Sequence, residues 1–171
     1  MALAIVLALR FIFPLAILRW PLAGTLFAIT LDFFDLHIFE ALDWSELPAG
    51  DYQVLDKLLD LYHLALESIV VWHWKEDIFR RAGLALYLWK IGGTFVFFMT
   101  GLRAVMFFAP NIFEIYFICV LALPKLFPRL RLNSPKAVGA LVLAITPFKL
   151  LHEYILHVAE SSTTEFVKGF F

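Results

Sequence analysis

Residues 31–67 read LDFFDLHIFEALDWSELPAGDYQVLDKLLDLYHLALE, and the reading of this stretch decides the fold. It holds nine carboxylates and two histidines, in a chain that is 62% apolar. Its second half carries polar groups at steps of four, three and four: Asp56, Asp60, His63 and Glu67. At about 100° per residue, these four fall within about 60° of one another on a helix. In the helix that carries the first half, which begins upstream at about residue 21, Thr25, Asp32 and Asp43 nearly align, with Asp35 about 60° to one side and Glu40 about 80° to the other. The stretch therefore reads as two helices, each with a polar stripe, joined by the loop DWSELPAGD. A Pro, a Gly and the cap-like Asp51 mark that loop. A loop so short makes the helices antiparallel neighbours, so the stripes can face each other.

Outward from this pair the chain stays apolar. Its 171 residues include nineteen Phe, five Trp and five Tyr, and its mean hydropathy is +0.83. No polar shell can be drawn round such a composition. A helix of roughly 20 apolar residues spans a bilayer, and six such pieces can be cut from the chain. They are residues 2–18, 21–42, 52–74, 78–100, 104–123 and 136–158. Lipid requires the backbone to satisfy its own hydrogen bonds, and the runs are too long and continuous for barrel strands. The expectation is all-α: a single polytopic transmembrane bundle over residues 1–171, with about six spans. An interfacial first segment would leave five.

Lys and Arg in short loops favour the cytoplasmic side. Arg19, Lys75, Arg80, Arg81, Lys125, Arg129, Arg131 and Lys136 fall on one side of the six-span arrangement. Arg103, Lys168 and Lys57 fall on the other. An integral, multi-pass location with both termini outside the cytoplasm is expected. The net charge of −1 says nothing about nucleic acid, but with no basic tail to bind it no nucleic-acid partner is expected. The single cysteine, Cys119, supports neither a disulfide framework nor a thiolate metal site. No basic region precedes the first apolar run, so a cleaved signal peptide is not expected.

A charge within a span costs about 2.5–3.5 kcal/mol at its centre, so it turns inward and pairs. Arg10, Lys90 and Lys149 are the central cations. Asp32, Asp35, Asp60, Glu67, Glu114 and Glu153 are the anions, with Asp56 near the edge. The anions outnumber the cations, and the excess calls for protonation, bound metal or water. Other groups have simpler readings. Asp43, Glu46 and Asp51 are solvated loop acids, and Asp56 and Glu40 suit helix ends. Arg10 and Lys90 could snorkel or close an ion pair. His37 suits packing, and His73 between Trp72 and Trp74 suits a membrane-interface belt.

The pattern of Asp32 and Asp35 in DFFD, then Asp56 and Asp60 in DKLLD, resembles the metal site of the CDP-alcohol phosphatidyltransferases. The resemblance covers about 30 residues. It implies a six-helix membrane enzyme in which these four aspartates hold two divalent cations, Mg²⁺ or Mn²⁺. There an acceptor hydroxyl attacks the β-phosphorus of a CDP-linked lipid and displaces CMP. The chemistry needs hard carboxylate ligands to clamp the attacking and leaving oxygens. The chain departs from the family's pattern in four ways. Leu36 stands where the family has Gly, the Ala-Arg pair is absent, Gly50 lies further from Asp56, and the gap between the aspartate pairs is longer. The family's site also opens to the cytoplasm, whereas the charge count puts Asp32–Asp60 in the outer half.

Two function classes follow. One is a metal-dependent phosphotransferase or hydrolase acting on a lipid or lipid-linked phosphate. Asp32, Asp35, Asp56 and Asp60 would hold metal, His63 or Glu67 would move a proton, and Arg10, Lys90 or Lys149 would meet phosphate or close ion pairs. Glu114, His152, Glu153 and His157 are secondary candidates, and His63, His152 and His157 would serve a zinc variant. The other class is a non-catalytic subunit that binds haem or pigment through histidine or scaffolds a larger membrane complex. Proton or cation transport is a further alternative, since intramembrane carboxylates are also its working parts.

Overall fold

The computed structural model describes the backbone of residues 2–41, 49–102, 104–129 and 134–157, and the side chains of 6–33, 54–102, 104–129 and 134–155. All regular structure among these residues is helical. The backbone falls into two compact units, Met1–His73 and Trp74–Phe171.

In the first unit α1 (Ala2–Ile12) runs into a 3₁₀ turn, Phe13–Leu18, with Pro14 at its start. Proline has no N–H and clashes with the preceding turn, so the α-helix cannot continue through it. The backbone N–H groups of Arg19 and Trp20 both close on the Ala16 carbonyl, at 3.1 and 2.7 Å. Then α2 (Pro21–Ala41) starts with proline at its first position, where no N–H is missed. Gly24 makes this corner possible. A Cβ there would sit 2.5 Å from the Ile17 nitrogen and 2.7 Å from the Ala16 carbonyl carbon. Backbone thus lies on backbone, the close packing that small residues permit. This contact sets a level. Asp32 is about 12 Å along α2 from Gly24, and Arg10 is about 12–13 Å back from Ile17, at α and 3₁₀ rises. The two side chains therefore meet.

The long α3 (Ala49–Trp72) packs on this hairpin through Leu59, Leu64, Leu66 and Val71, all buried. Thr25 meets Glu67, while seven residues on, Asp32 shares Arg10 with Asp60, which is seven residues before Glu67. So α2 and α3 run antiparallel with their polar stripes facing, as the short loop requires.

In the second unit α4 (Asp77–Thr100) opens on Asp77, which accepts from Arg80 and Arg81 at 2.5 and 2.6 Å. It closes at Gly101, whose φ of +67° is the left-handed cap that glycine adopts without strain. The fifth predicted span is not one helix. It is α5 (Ala104–Phe108), a break at Ala109–Asn111, and α6 (Ile112–Leu126). Pro110 denies the ladder a donor, and Asn111 starts the next helix by accepting from the Glu114 N–H at 3.4 Å. Gly93 of α4 lies against the break, and a Cβ there would come within 1.9 Å of the Ala109 Cβ. The last helix, α7 (Pro135–His157), is capped by Ser134, whose Oγ accepts from the Ala137 N–H at 3.2 Å. Ile112, Tyr116, Val138 and Ile145 form a buried core, and the Tyr116 hydroxyl donates to the Phe79 carbonyl at 3.2 Å.

Among the described residues, three stretches are long and apolar enough to cross a membrane: Asp77–Thr100, Ala104–Leu126 and Pro135–Ile155. Val6–Leu18 and Pro21–Phe33 are shorter apolar helices. Phe95, Met99, Phe108, Leu143 and Phe148 are each more than 60% exposed. An apolar surface of this kind suits a hydrocarbon medium, since soluble monomers expose only small apolar patches.

Candidate functional site

In the first unit the polar residues of three helices converge on Arg10. Its side chain is 7% exposed, and the guanidinium donates to Asp32 of α2. It also donates to Asp56 at 3.0 Å and Asp60 at 3.3 Å, both on α3. Lys57 completes the cluster, donating to Asp56 at 2.9 Å and Asp60 at 3.0 Å. The aspartate side chains are more open than the arginine they surround: Asp32 is 42% exposed, Asp56 22% and Asp60 23%. One oxygen from each lies within 4.8 Å of the others. Three hard oxygen donors at that spacing fit a hard divalent cation. Fit here means competition, because the same oxygens already bind a guanidinium and an ammonium.

This arrangement corrects the charge count made from the sequence. Lys57, near the top of the third span, is tallied there with the loop charges and not with the cations that pair inside the spans. In the structure its ammonium folds back on the i−1 and i+3 aspartates and counts with the cluster. Among the five described members, two cations oppose three anions.

One and two turns further along α3, His63 and Glu67 continue the stripe. Glu67 is fully buried and accepts from the Thr25 hydroxyl at 2.7 Å. Its Oε1 lies 3.7 Å from His63 Nε2. A cavity of about 10 Å³, close to the smallest that holds a water molecule, lies beside Arg10 and His63. Its polar lining is Arg10 and His63, and Pro14, Ala28, Leu31 and Leu59 form the rest. Arg10 of the cluster and His63 of the pair thus line one small cavity.

The second unit has its own polar centre, built around the helix break. A break leaves backbone groups without ladder partners, and at membrane depth these must find others. The Asn111 N–H donates to Glu153 of α7 at 3.2 Å. The Ala109 carbonyl accepts from the Lys90 ammonium at 3.4 Å. Asn111 Nδ2 donates to Glu114 at 3.2 Å. Lys149 lies 3.6 Å from Glu153 and 3.4 Å from His152. Lys90 and Glu153 are buried, and they explain themselves here as partners of the broken backbone. Asn111 is the member whose role the sequence reading did not assign. Its signal is Pro110 followed by N-x-x-E, the spacing of a helix cap.

Three of the four predicted metal aspartates therefore meet, and the side chain of Asp35 lies outside the described residues. The side chains of His37, Glu40 and His157, and the loop acids Asp43, Glu46 and Asp51, lie outside them too. Arg10 is with the aspartates in the first unit, whereas Lys90, Glu114, Lys149, His152 and Glu153 all belong to the second. For the zinc variant, His63 and His152 fall in different units. His73 is exposed at the end of α3, and its Nδ1 donates to the Ile69 carbonyl at 2.7 Å.

No protein-family model matches this chain, and neither does any curated protein or solved structure.

Proposed function

We propose that this protein is a multi-pass membrane enzyme that transfers or hydrolyses a lipid or lipid-linked phosphate with the help of a divalent cation. The observation that carries this reading is the convergence of Asp32, Asp56 and Asp60 with Arg10 and Lys57 at a partly open site. Carboxylates alone would suit a structural cation. Carboxylates beside a guanidinium and an ammonium suit a cation together with a phosphate, which arginine meets with two parallel hydrogen bonds. The bound cation would supply charge neutralisation at the phosphate. The chain's own residues do the rest: Arg10 and Lys57 orient the phosphate, and the His63–Glu67 pair takes the acceptor's proton. The resemblance of the aspartate pattern to the CDP-alcohol phosphatidyltransferases supports the same class. Six spans with both termini outside is the topology that accompanies this reading.

The test is release of phosphate or nucleotide from lipid-linked phosphates by purified protein in Mg²⁺ or Mn²⁺. Activity that disappears in Asp60→Asn and on chelation supports the reading. A chain that neither binds the cation nor turns over any such lipid opposes it.

A second reading, proton or cation transport, draws on the break at Ala109–Asn111. Discontinuous helices with carboxylates at the break are where membrane transporters bind their ions. Flux in proteoliposomes that falls in Glu114→Gln would favour it over the enzyme.

A further inference from the structure

Thr25 is fully buried, and its hydroxyl donates to Glu67 at 2.7 Å. We infer that Thr25 is a positioning residue for the proton transfer: it turns the Glu67 carboxylate onto His63, so that His63 takes the acceptor's proton and Glu67 stays ionised beside it. This inference rests on the function proposed above and divides the work within its His63–Glu67 pair.

The argument is geometric. Of the pair, His63 lines the cavity beside Arg10 and Glu67 does not. His63 is therefore the member that an acceptor placed at the cavity meets. Glu67 Oε1 accepts from the Thr25 hydroxyl and lies 3.7 Å from His63 Nε2, so a single oxygen faces both groups. A glutamate side chain has several rotamers, and a hydrogen bond from a fixed donor selects among them. The donor is fixed twice over. Thr25 is β-branched, which restricts its first torsion on a helix. Gly24, next to it, is where α2 lies against the 3₁₀ turn so closely that a Cβ would sit 2.5 Å from the Ile17 nitrogen. A hydroxyl that donates to a carboxylate makes a strong, directional bond. In the proposed transfer the acceptor's O–H bond breaks and its proton passes to the imidazole. The acceptor oxygen bonds phosphorus, and the leaving group departs with the electron pair of its own bond. The Glu67 carboxylate then stabilises the imidazolium that forms, by the logic of an acid–histidine pair.

The experiment has two readouts on the full chain in detergent micelles. The first is the ¹⁵N spectrum of histidine-labelled protein, with the His63 ring signals identified by their loss in His63→Gln. Thr25→Val is expected to move these signals toward their position in Glu67→Gln, and Thr25→Ser to leave them as in wild type. The second is turnover of phosphatidic acid and of CDP-diacylglycerol in Mn²⁺, with glycerol as the acceptor alcohol. Thr25→Val is expected to lower kcat about 10- to 100-fold at unchanged KM. Thr25→Ser, which keeps the hydroxyl, is expected to recover most of it. His63→Gln is expected to lower kcat at least about 100-fold. Thr25→Ala replaces Thr25→Val if the valine variant does not fold. If Thr25→Val keeps the wild-type kcat, whether or not the ring signals move, the hydrogen bond is structural, the positioning role is wrong and the enzyme stands. A kcat that falls in Thr25→Ser as far as in Thr25→Val overturns the inference too, since the hydroxyl is then not the agent. If wild type turns over neither lipid, the proposed function falls and takes this inference with it.

Discussion

Replacing Arg10 by Gln keeps much of the stem and removes the charge that three aspartates share. Removing one partner of a fully buried ion pair costs about 3–5 kcal/mol, because the other charge is left behind. Here the partners left behind are only partly buried, at 42%, 22% and 23% exposure, and water recovers some of the loss. Lys57 also stays bound to two of them. A loss of about 2–3 kcal/mol follows. For a chain of 171 residues this corresponds to a fall in melting temperature of about 5–10 °C. The assay is thermal unfolding of purified protein in one detergent, followed by tryptophan fluorescence. Adding Asp32→Asn should return part of the loss, since it removes one stranded charge, and the two changes should therefore be non-additive. Mn²⁺ should raise the melting temperature of Arg10→Gln more than that of wild type. A fall of less than about 2 °C, or strict additivity with Asp32→Asn, would refute the picture of Arg10 as the hub of the cluster.

Three further outcomes follow from the packing. Gly24→Ala forces a Cβ against the backbone of Ile17, so it should cost about 1–3 kcal/mol in the same unfolding assay. Gly92→Ala meets nothing within 4 Å and should gain up to about 1 kcal/mol from helix propensity, so the two glycines should differ in sign. Glu153→Leu strands the Asn111 N–H and the Lys149 charge and should cost about 2–4 kcal/mol. Glu153→Gln keeps an acceptor for Asn111 and should cost clearly less. In a double-mutant cycle, Thr25→Val and Glu67→Gln should couple by about 0.5–1.5 kcal/mol through their shared hydrogen bond.

The α3 stripe was legible because helical spacing is arithmetic: Asp56, Asp60, His63 and Glu67 share a face in any α-helix. That α2 would bring Asp32 to the same place followed from one short loop. The hub was harder to see. Arg10 reaches the aspartates only because Gly24 lets α2 lie on the 3₁₀ turn, and nothing local to either residue encodes that level. Lys57 was misjudged because its long stem carries the charge a full turn from its backbone position. The break at Ala109–Asn111 was readable in Pro110 and N-x-x-E, but the apolar run around it reads as one continuous span. Hydropathy averages over a window, and three residues of irregular backbone vanish in it. The buried charges of α4 and α7, Lys90 and Glu153, meet that backbone.

The most direct measurement is an anomalous-scattering map from crystals soaked in Mn²⁺ together with inorganic phosphate. The account predicts a peak between the carboxylates of Asp32, Asp56 and Asp60, with the Arg10 guanidinium turned onto the phosphate. A map with no peak there, and Arg10 still held by all three aspartates, would contradict it.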